Sequence, residues 1–186
     1  MYKIYDNFLT KTYHKEIKNL LSSYDFPWFY ASNISNDADT RKLKNEFGFF
    51  HIFIKDNGEI NSNYTPFIKP MLYQIMDSTN TNKILRARGD MTTNKGIEMI
   101  HETHIDFYYE NLRKNKSIVF YVNESDGDTI LYNERYTDDF RDKKQTVLKT
   151  IKPKENRLLV FEGDLLHTGC SPVNHANRIL INGNFI

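Results

Sequence analysis

Four side chains in this sequence have the types and spacing to do chemistry together. His104 and Asp106 stand two residues apart, His167 follows some sixty residues later, and Arg178 lies a short turn and strand beyond it. In an extended segment, residues two apart share a face and sit about 6–7 Å from each other. A His-x-Asp pair at the end of a strand can therefore converge on one ion, with the third ligand, His167, arriving from elsewhere. Two imidazoles and one carboxylate occupy one face of an octahedral metal and leave three positions open. A keto acid can take two of these and dioxygen the third, which is what oxygen activation by Fe(II) requires. Structural zinc would instead call for a closed fourth ligand. Arg178 supplies a planar, bidentate grip for a carboxylate, and an inward Arg on a strand implies an anionic partner.

The elements that must position these groups can be read from the pattern. Strand-like runs follow one another from residue 83 onward, at 83–88, 98–105, 117–123, 128–133, 146–151, 157–162 and 177–185, separated by turn-rich or charged stretches. Ser117–Val122 and Leu158–Phe161 are almost wholly apolar, as expected of strands buried on both faces. Upstream, 2–9 reads as a strand. A helix reaches from the Thr10 cap to about Ser22, and FPWFY at 26–30 is extended. A polar loop covers 33–45, Gly48–Ile54 is a strand, and a second helix covers Thr65–Met76 with Pro66 in its first turn. The fold class this predicts is mainly β (α+β), a jelly roll buttressed by N-terminal helices. We read one domain over 1–186, with 1–82 as helical and strand support and 83–186 as the metal-binding core.

Composition narrows the class. Hydrophobic residues make up 39% and charged residues 26% of 186 residues, with 13 Phe and 12 Tyr to fill a sheet-rich core. A net charge of +1 gives no field to draw the chain to nucleic acid or an anionic membrane. The single cysteine, Cys170, allows neither an intramolecular disulfide nor a cysteine-based zinc site. With no signal-like or membrane-length apolar run, the expected location is cytoplasmic.

Several stretches resemble a known family. IHETHIDFYY at 100–109, VFYVNESDGDTIL at 119–131, KPKENRLLVFEGDLLHTGCSP at 152–172 and RILINGNF at 178–185 are similar to the prolyl 4-hydroxylase-like branch of the 2-oxoglutarate/Fe(II) oxygenases, especially its small bacteriophage-type members. YKIYDNFL and FPWFY extend the likeness over nearly the whole chain. The resemblance implies a double-stranded β-helix, Fe(II) and 2-oxoglutarate as cofactor and co-substrate, dioxygen as second co-substrate and ascorbate as accessory reductant. It also implies hydroxylation of a protein or small-molecule substrate, with succinate and carbon dioxide released. If phage-encoded, the protein would work in the host cytoplasm. By position His104, Asp106 and His167 match the metal ligands, Arg178 the basic residue for the distal carboxylate, and Thr129 a hydroxyl contact to it. The family's Tyr ahead of His-x-Asp has no counterpart at Thr92–Lys95, and Arg86, Arg88 or Tyr121 are candidates to replace it.

Other readings compete. A jelly-roll binding or structural module without turnover would not need an open metal face. A cupin-type metalloenzyme would not need Arg178. His14-Lys15-Glu16 repeats the His-x-acid spacing inside a helix, where residues two apart diverge. His101 is a neighbour of the site, His51 a packed core histidine, His175 a solvated turn residue and Cys170 a small packed residue. The charged run Arg135–Lys144, within 135–145, is a solvated loop or a lid over the substrate.

Overall fold

The computed structural model describes residues 1–34, 46–108 and 115–186. Its strands are β1 (Tyr2–Tyr5), β2 (Phe29–Ala31), β3 (Gly48–Ile54), β4 (Ile84–Thr93), β5 (Lys116–Tyr121), β6 (Thr129–Arg135), β7 (Val147–Ile151), β8 (Arg157–Glu162), β9 (Leu165–Gly169) and β10 (Asn177–Phe185). Its α-helices are α1 (Lys11–Leu21) and α2 (Thr65–Thr79). Seven strands form one sheet in the order β1-β8-β5-β10-β4-β3-β2, and β7-β6-β9 form a second. Every pairing is antiparallel. The fold is thus mainly β, with few helices.

The two faces of the large sheet serve different cores. Ile118, Phe120, Val122, Leu158, Val160, Ile179 and Ile181 meet Ile17 and Leu21 of α1 and Ile68, Met71, Leu72 and Ile75 of α2. The alternate residues Val119, Tyr121, Leu159, Phe161 and Leu180 meet Leu131, Ile151 and Leu165 of the small sheet. This explains why β5 and β8 have no polar face: a middle layer needs apolar side chains at both parities. The site-bearing face of the large sheet looks toward the small sheet.

Most expected elements lie within a few residues of those observed, with two corrections. The strand expected over 98–105 is a loop carrying isolated bridges, Ile100↔Cys170 and His104↔His167. Between those bridges the loop advances four residues while β9 retreats three. One residue is therefore left over, and it interrupts the ladder as a bulge does. In turn β9 went unrecognised as a strand. Its sequence LLHTG is buried at four of five positions and offers no alternation to read. Thr10 does cap α1 by position, but its hydroxyl makes no capping hydrogen bond. Most of the polar loop expected at 33–45 lies outside the described residues.

Candidate metal and carboxylate site

His167 is carried by the middle of β9 and His104 by the loop beside it. Each donates its backbone N–H to the other's carbonyl, at 2.9 and 3.1 Å, so the two imidazoles emerge side by side with ring centroids 4.6 Å apart. Their orientation is fixed from behind. His104 Nδ1 lies 2.8 Å from the Glu102 carbonyl and His167 Nδ1 3.1 Å from the Leu165 carbonyl. A carbonyl only accepts, so in each ring Nδ1 carries the proton and Nε2 presents a lone pair. Both Nε2 atoms face Asp106, at 3.9 Å from His104 and 3.5 Å from His167 to Oδ1. All three ligand atoms fall within 4.8 Å of one another.

This arrangement fits a divalent ion. Asp106 Oδ2 is buried without a hydrogen-bond partner, an expensive state for a carboxylate unless a cation completes it. Burial works against ionisation of Asp106, yet the positive charge around it, the Arg86 guanidinium included, outweighs it and holds the carboxyl well below the usual range. Burial, helped by His167, pushes His104 down to about 4, so its lone pair is free at neutral pH. Phe161 packs edge-on against His167 at 4.7 Å and dries that side.

Arg178, on β10, lines the same cavity. It is buried, donates from Nη2 to Thr129 Oγ1 at 2.6 Å, and leaves Nε without a partner. Tyr121 also donates to Thr129 Oγ1, at 2.7 Å, and its ring lies 5.8 Å from the guanidinium carbon. Thr129 and Tyr121 therefore steer Arg178 and neutralise none of its charge. Room for the guanidinium comes from two glycines. A Cβ on Gly169 would lie 3.2 Å from Arg178 Nη1, and one on Gly127 would strike the Cys170 carbonyl and come within 2.9 Å of Arg178 Cδ.

Sequence reasoning overlooked Thr92. It pairs directly with Arg178 across β4 and β10, and its buried hydroxyl has no partner. The strand pairing β4–β10 would have located it, but the sequence does not announce that pairing. Of the candidates to replace the absent Tyr, Tyr121 stands beside Arg178. Arg86 does not line that cavity, and Arg88 is held by Asp90 at 2.8 Å.

His101 borders the site without joining the triad. Its Nε2 lies 3.0 Å from Ser171 Oγ and its Nδ1 3.9 Å from Glu46 Oε1. Burial brings its pKa down to about 4. His51 lies among Phe26, Phe53 and Tyr64, and His14 reaches the Val122 carbonyl at 2.8 Å from α1. His175 is bound to Asp126 at 3.0 Å, where the sequence suggested simple solvation. In the 135–145 stretch a short 3-10 helix, Phe140–Asp142, buries Phe140. Beyond it, Gln145 accepts from Thr103 at 2.8 Å, next to the first histidine ligand candidate.

Comparison with known proteins decides the family. The sequence profile of the 2OG-Fe(II) oxygenase superfamily matches residues 94–186, which contain the whole triad and Arg178. The chain belongs to the 2OG-Fe(II) oxygenase superfamily. It is an enzyme of that class, with Fe(II), 2-oxoglutarate and dioxygen as cofactor and co-substrates. A 2OG-Fe(II) oxygenase-family oxidoreductase from Burkholderia pseudomallei superposes at a TM-score of 0.66 with 11% identity, over 99% of this chain and 85% of that one. A prolyl-4-hydroxylase from Pseudomonas putida gives 0.56 and 13%, over 99% and 91%. A viral collagen prolyl hydroxylase from Paramecium Bursaria Chlorella virus-1, in complex with 2-oxoglutarate, gives 0.51 and 15%, over 99% and 94%. At these identities the likeness is one of fold. No curated protein sequence matches the oxygenase. Among the described residues, no helix is long and apolar enough to cross a membrane.

Proposed function

We propose that this oxygenase hydroxylates its substrate at an iron held by His104 Nε2, Asp106 and His167 Nε2, with Arg178 binding the distal carboxylate of 2-oxoglutarate. One observation carries the reading. An open set of metal ligands and a buried guanidinium with no carboxylate partner among the described residues share a single cavity, and both retain unsatisfied buried atoms, Asp106 Oδ2 and Arg178 Nε. Thr129 and Tyr121 orient the guanidinium, and the Thr92 hydroxyl is free to donate to the same carboxylate. This is the work that the family's missing Tyr would otherwise do. The two sheets are read as a double-stranded β-helix buttressed by α1 and α2, in one domain over 1–186. The branch is the prolyl 4-hydroxylase-like one.

The chain's own groups bind, orient and exclude water. The Glu102 and Leu165 carbonyls hold both histidines in the ligating tautomer. Asp106 stays ionised in a buried place and offsets part of the metal charge. Val119, Leu180 and Phe161 dry the walls, which strengthens each charge interaction inside. When bound, iron and 2-oxoglutarate supply the oxidising power that turns a substrate C–H into C–OH, with succinate and carbon dioxide as co-products.

The test is an anaerobic titration of metal-free protein with Fe(II), then 2-oxoglutarate, following the weak visible charge-transfer band of a chelated keto acid. The wild type should develop the band. Asp106→Ala should bind metal at least roughly 100-fold more weakly, and Arg178→Ala should need far more 2-oxoglutarate. A wild type that binds metal but forms no band would turn the reading toward a metalloenzyme that uses no keto acid.

A further inference from the structure

Next to the metal site, on the same face of the large sheet, lies a second cavity of about 190 Å³. Its walls include Phe50, Ile52 and Ile54 of β3 and Arg86 and Arg88 of β4. It shares Ile34 and Arg88 with the first cavity, so the two adjoin. Along β4 the inward residues run Thr92, Asp90, Arg88, Arg86. Arg178 sits opposite Thr92 at one end, and Arg86 touches the backbone of Asp106 at the other. The carboxylate-binding Arg178 and this second cavity therefore flank the metal ligands.

The charges in this region do not cancel. Arg88 is matched by Asp90, which also accepts from Asn182 Nδ2. Arg178 would be matched by the distal carboxylate of 2-oxoglutarate, and the remaining charges of iron, Asp106 and the keto-acid end also sum to zero. Arg86 is left over. It is 5% exposed, and its hydrogen bond is from Nη1 to the carbonyl of Asp106, a neutral acceptor. The charged groups acting on it are Arg88, Asp106, Asp90 and Asp56. Asp106 and Asp90 are already committed, and Asp56 is an exposed turn residue at the cavity's edge. A buried guanidinium without a counter-ion is costly, and this one borders a cavity of ligand size.

We propose that Arg86 binds a carboxylate of the substrate, and that the oxygenase acts on a small monoanionic carboxylic acid whose apolar part packs against Phe50, Ile52 and Ile54. The inference rests on the preceding reading of the metal site. One uncompensated charge matches a monoanionic carboxylate better than a phosphate dianion. Ile34 and Arg88 line both cavities, so a substrate anchored at Arg86 can extend past them toward the metal ligands, where a C–H bond is to be attacked.

Ligand-observed NMR on the Fe(II)- and 2-oxoglutarate-loaded protein under argon tests this, because saturating 2-oxoglutarate keeps the probe away from Arg178. The probes are isocaproate, its neutral amide and isopentyl phosphate. Isocaproate should bind, and the amide at least about tenfold more weakly. Arg86→Gln, whose side-chain amide can still donate to the Asp106 carbonyl, should lose isocaproate by a similar factor while the keto-acid band still forms once Fe(II) is saturating. Ile52→Trp, which fills the cavity from the neighbouring strand β3 and leaves Arg86 itself unchanged, should also lose it. Equal binding of amide and acid, stronger binding of the phosphate, or unchanged binding in Arg86→Gln would overturn the proposal. So would loss of the keto-acid band together with probe binding in Arg86→Gln, since Arg86 would then act only as a clamp on Asp106. Failure of the band in the wild type strikes the metal-site reading instead, and the same NMR comparison on metal-free protein still decides whether Arg86 selects carboxylates.

Discussion

The chemistry at single residues is set by backbone carbonyls and by missing atoms as much as by the ligands. Gly127 is an example. Adding a methyl group there drives it into the Cys170 carbonyl and the Arg178 side chain. Gly127→Ala should therefore cost about 1–3 kcal/mol of stability and, by displacing Arg178, raise the 2-oxoglutarate concentration needed for half-saturation. Denaturant unfolding and the keto-acid titration measure the two effects separately. Cys170 lies within the same wall, and burial pushes its thiol up to about 11. It should resist iodoacetamide in the native protein from neutral pH to about pH 9, and react once urea exposes it. Mass spectrometry of the alkylated protein reads this directly.

At the scale of elements, the helices and the strand ends carry stability that the site itself does not. Leu72 of α2 is wholly buried against the large sheet, so Leu72→Ala should cost about 2–5 kcal/mol in denaturant unfolding. Asp6, just after β1, is bound by Arg157 at the start of β8 and by Lys154. The Arg157 hydrogen bond, against some desolvation and with help from Lys154, takes Asp6 from 3.8 down to about 2. Its folded value is depressed, so its contribution is complete above the unfolded value and disappears as pH falls through the folded one. Asp6→Asn should melt slightly below wild type at pH 7, by less than about 1 kcal/mol since the pair is exposed. The gap should close between about pH 4 and 2 in a melting series. The elements also explain what was legible in advance. β5 and β8 could be read because a doubly buried strand has no polar parity. The grouping of His104, Asp106, His167 and Arg178 in one cavity could be anticipated because their residue types and spacing are rare in combination. The 94–105 loop and β9 could not, because a one-residue surplus in their pairing and a five-residue apolar strand leave no periodicity. Thr92 gains meaning only from the register of β4 against β10, and Arg86, a candidate on other grounds, only from its place beside Asp106; no local pattern encodes either.

For the molecule as a whole, the candidate ligands join segments far apart in the chain. His104 and Asp106 lie on a loop with little regular pairing, and His167 lies on the small sheet. A divalent ion at 100 times its dissociation constant should raise the unfolding free energy by about 2.7 kcal/mol through mass action, and Asp106→Ala should abolish that gain. Calorimetry with redox-inert Mn(II) measures it without turnover. The reciprocal backbone bonds between His104 and His167 have a further consequence. They hold closed a ring of roughly sixty residues, and an ion across the same two side chains would act as a removable cross-link. A covalent tie closing a loop of that length is worth about 4 kcal/mol in chain entropy. Proteases should therefore cut within 94–105 readily when chelator is present and slowly when metal is bound, so that metal availability sets how long the protein survives.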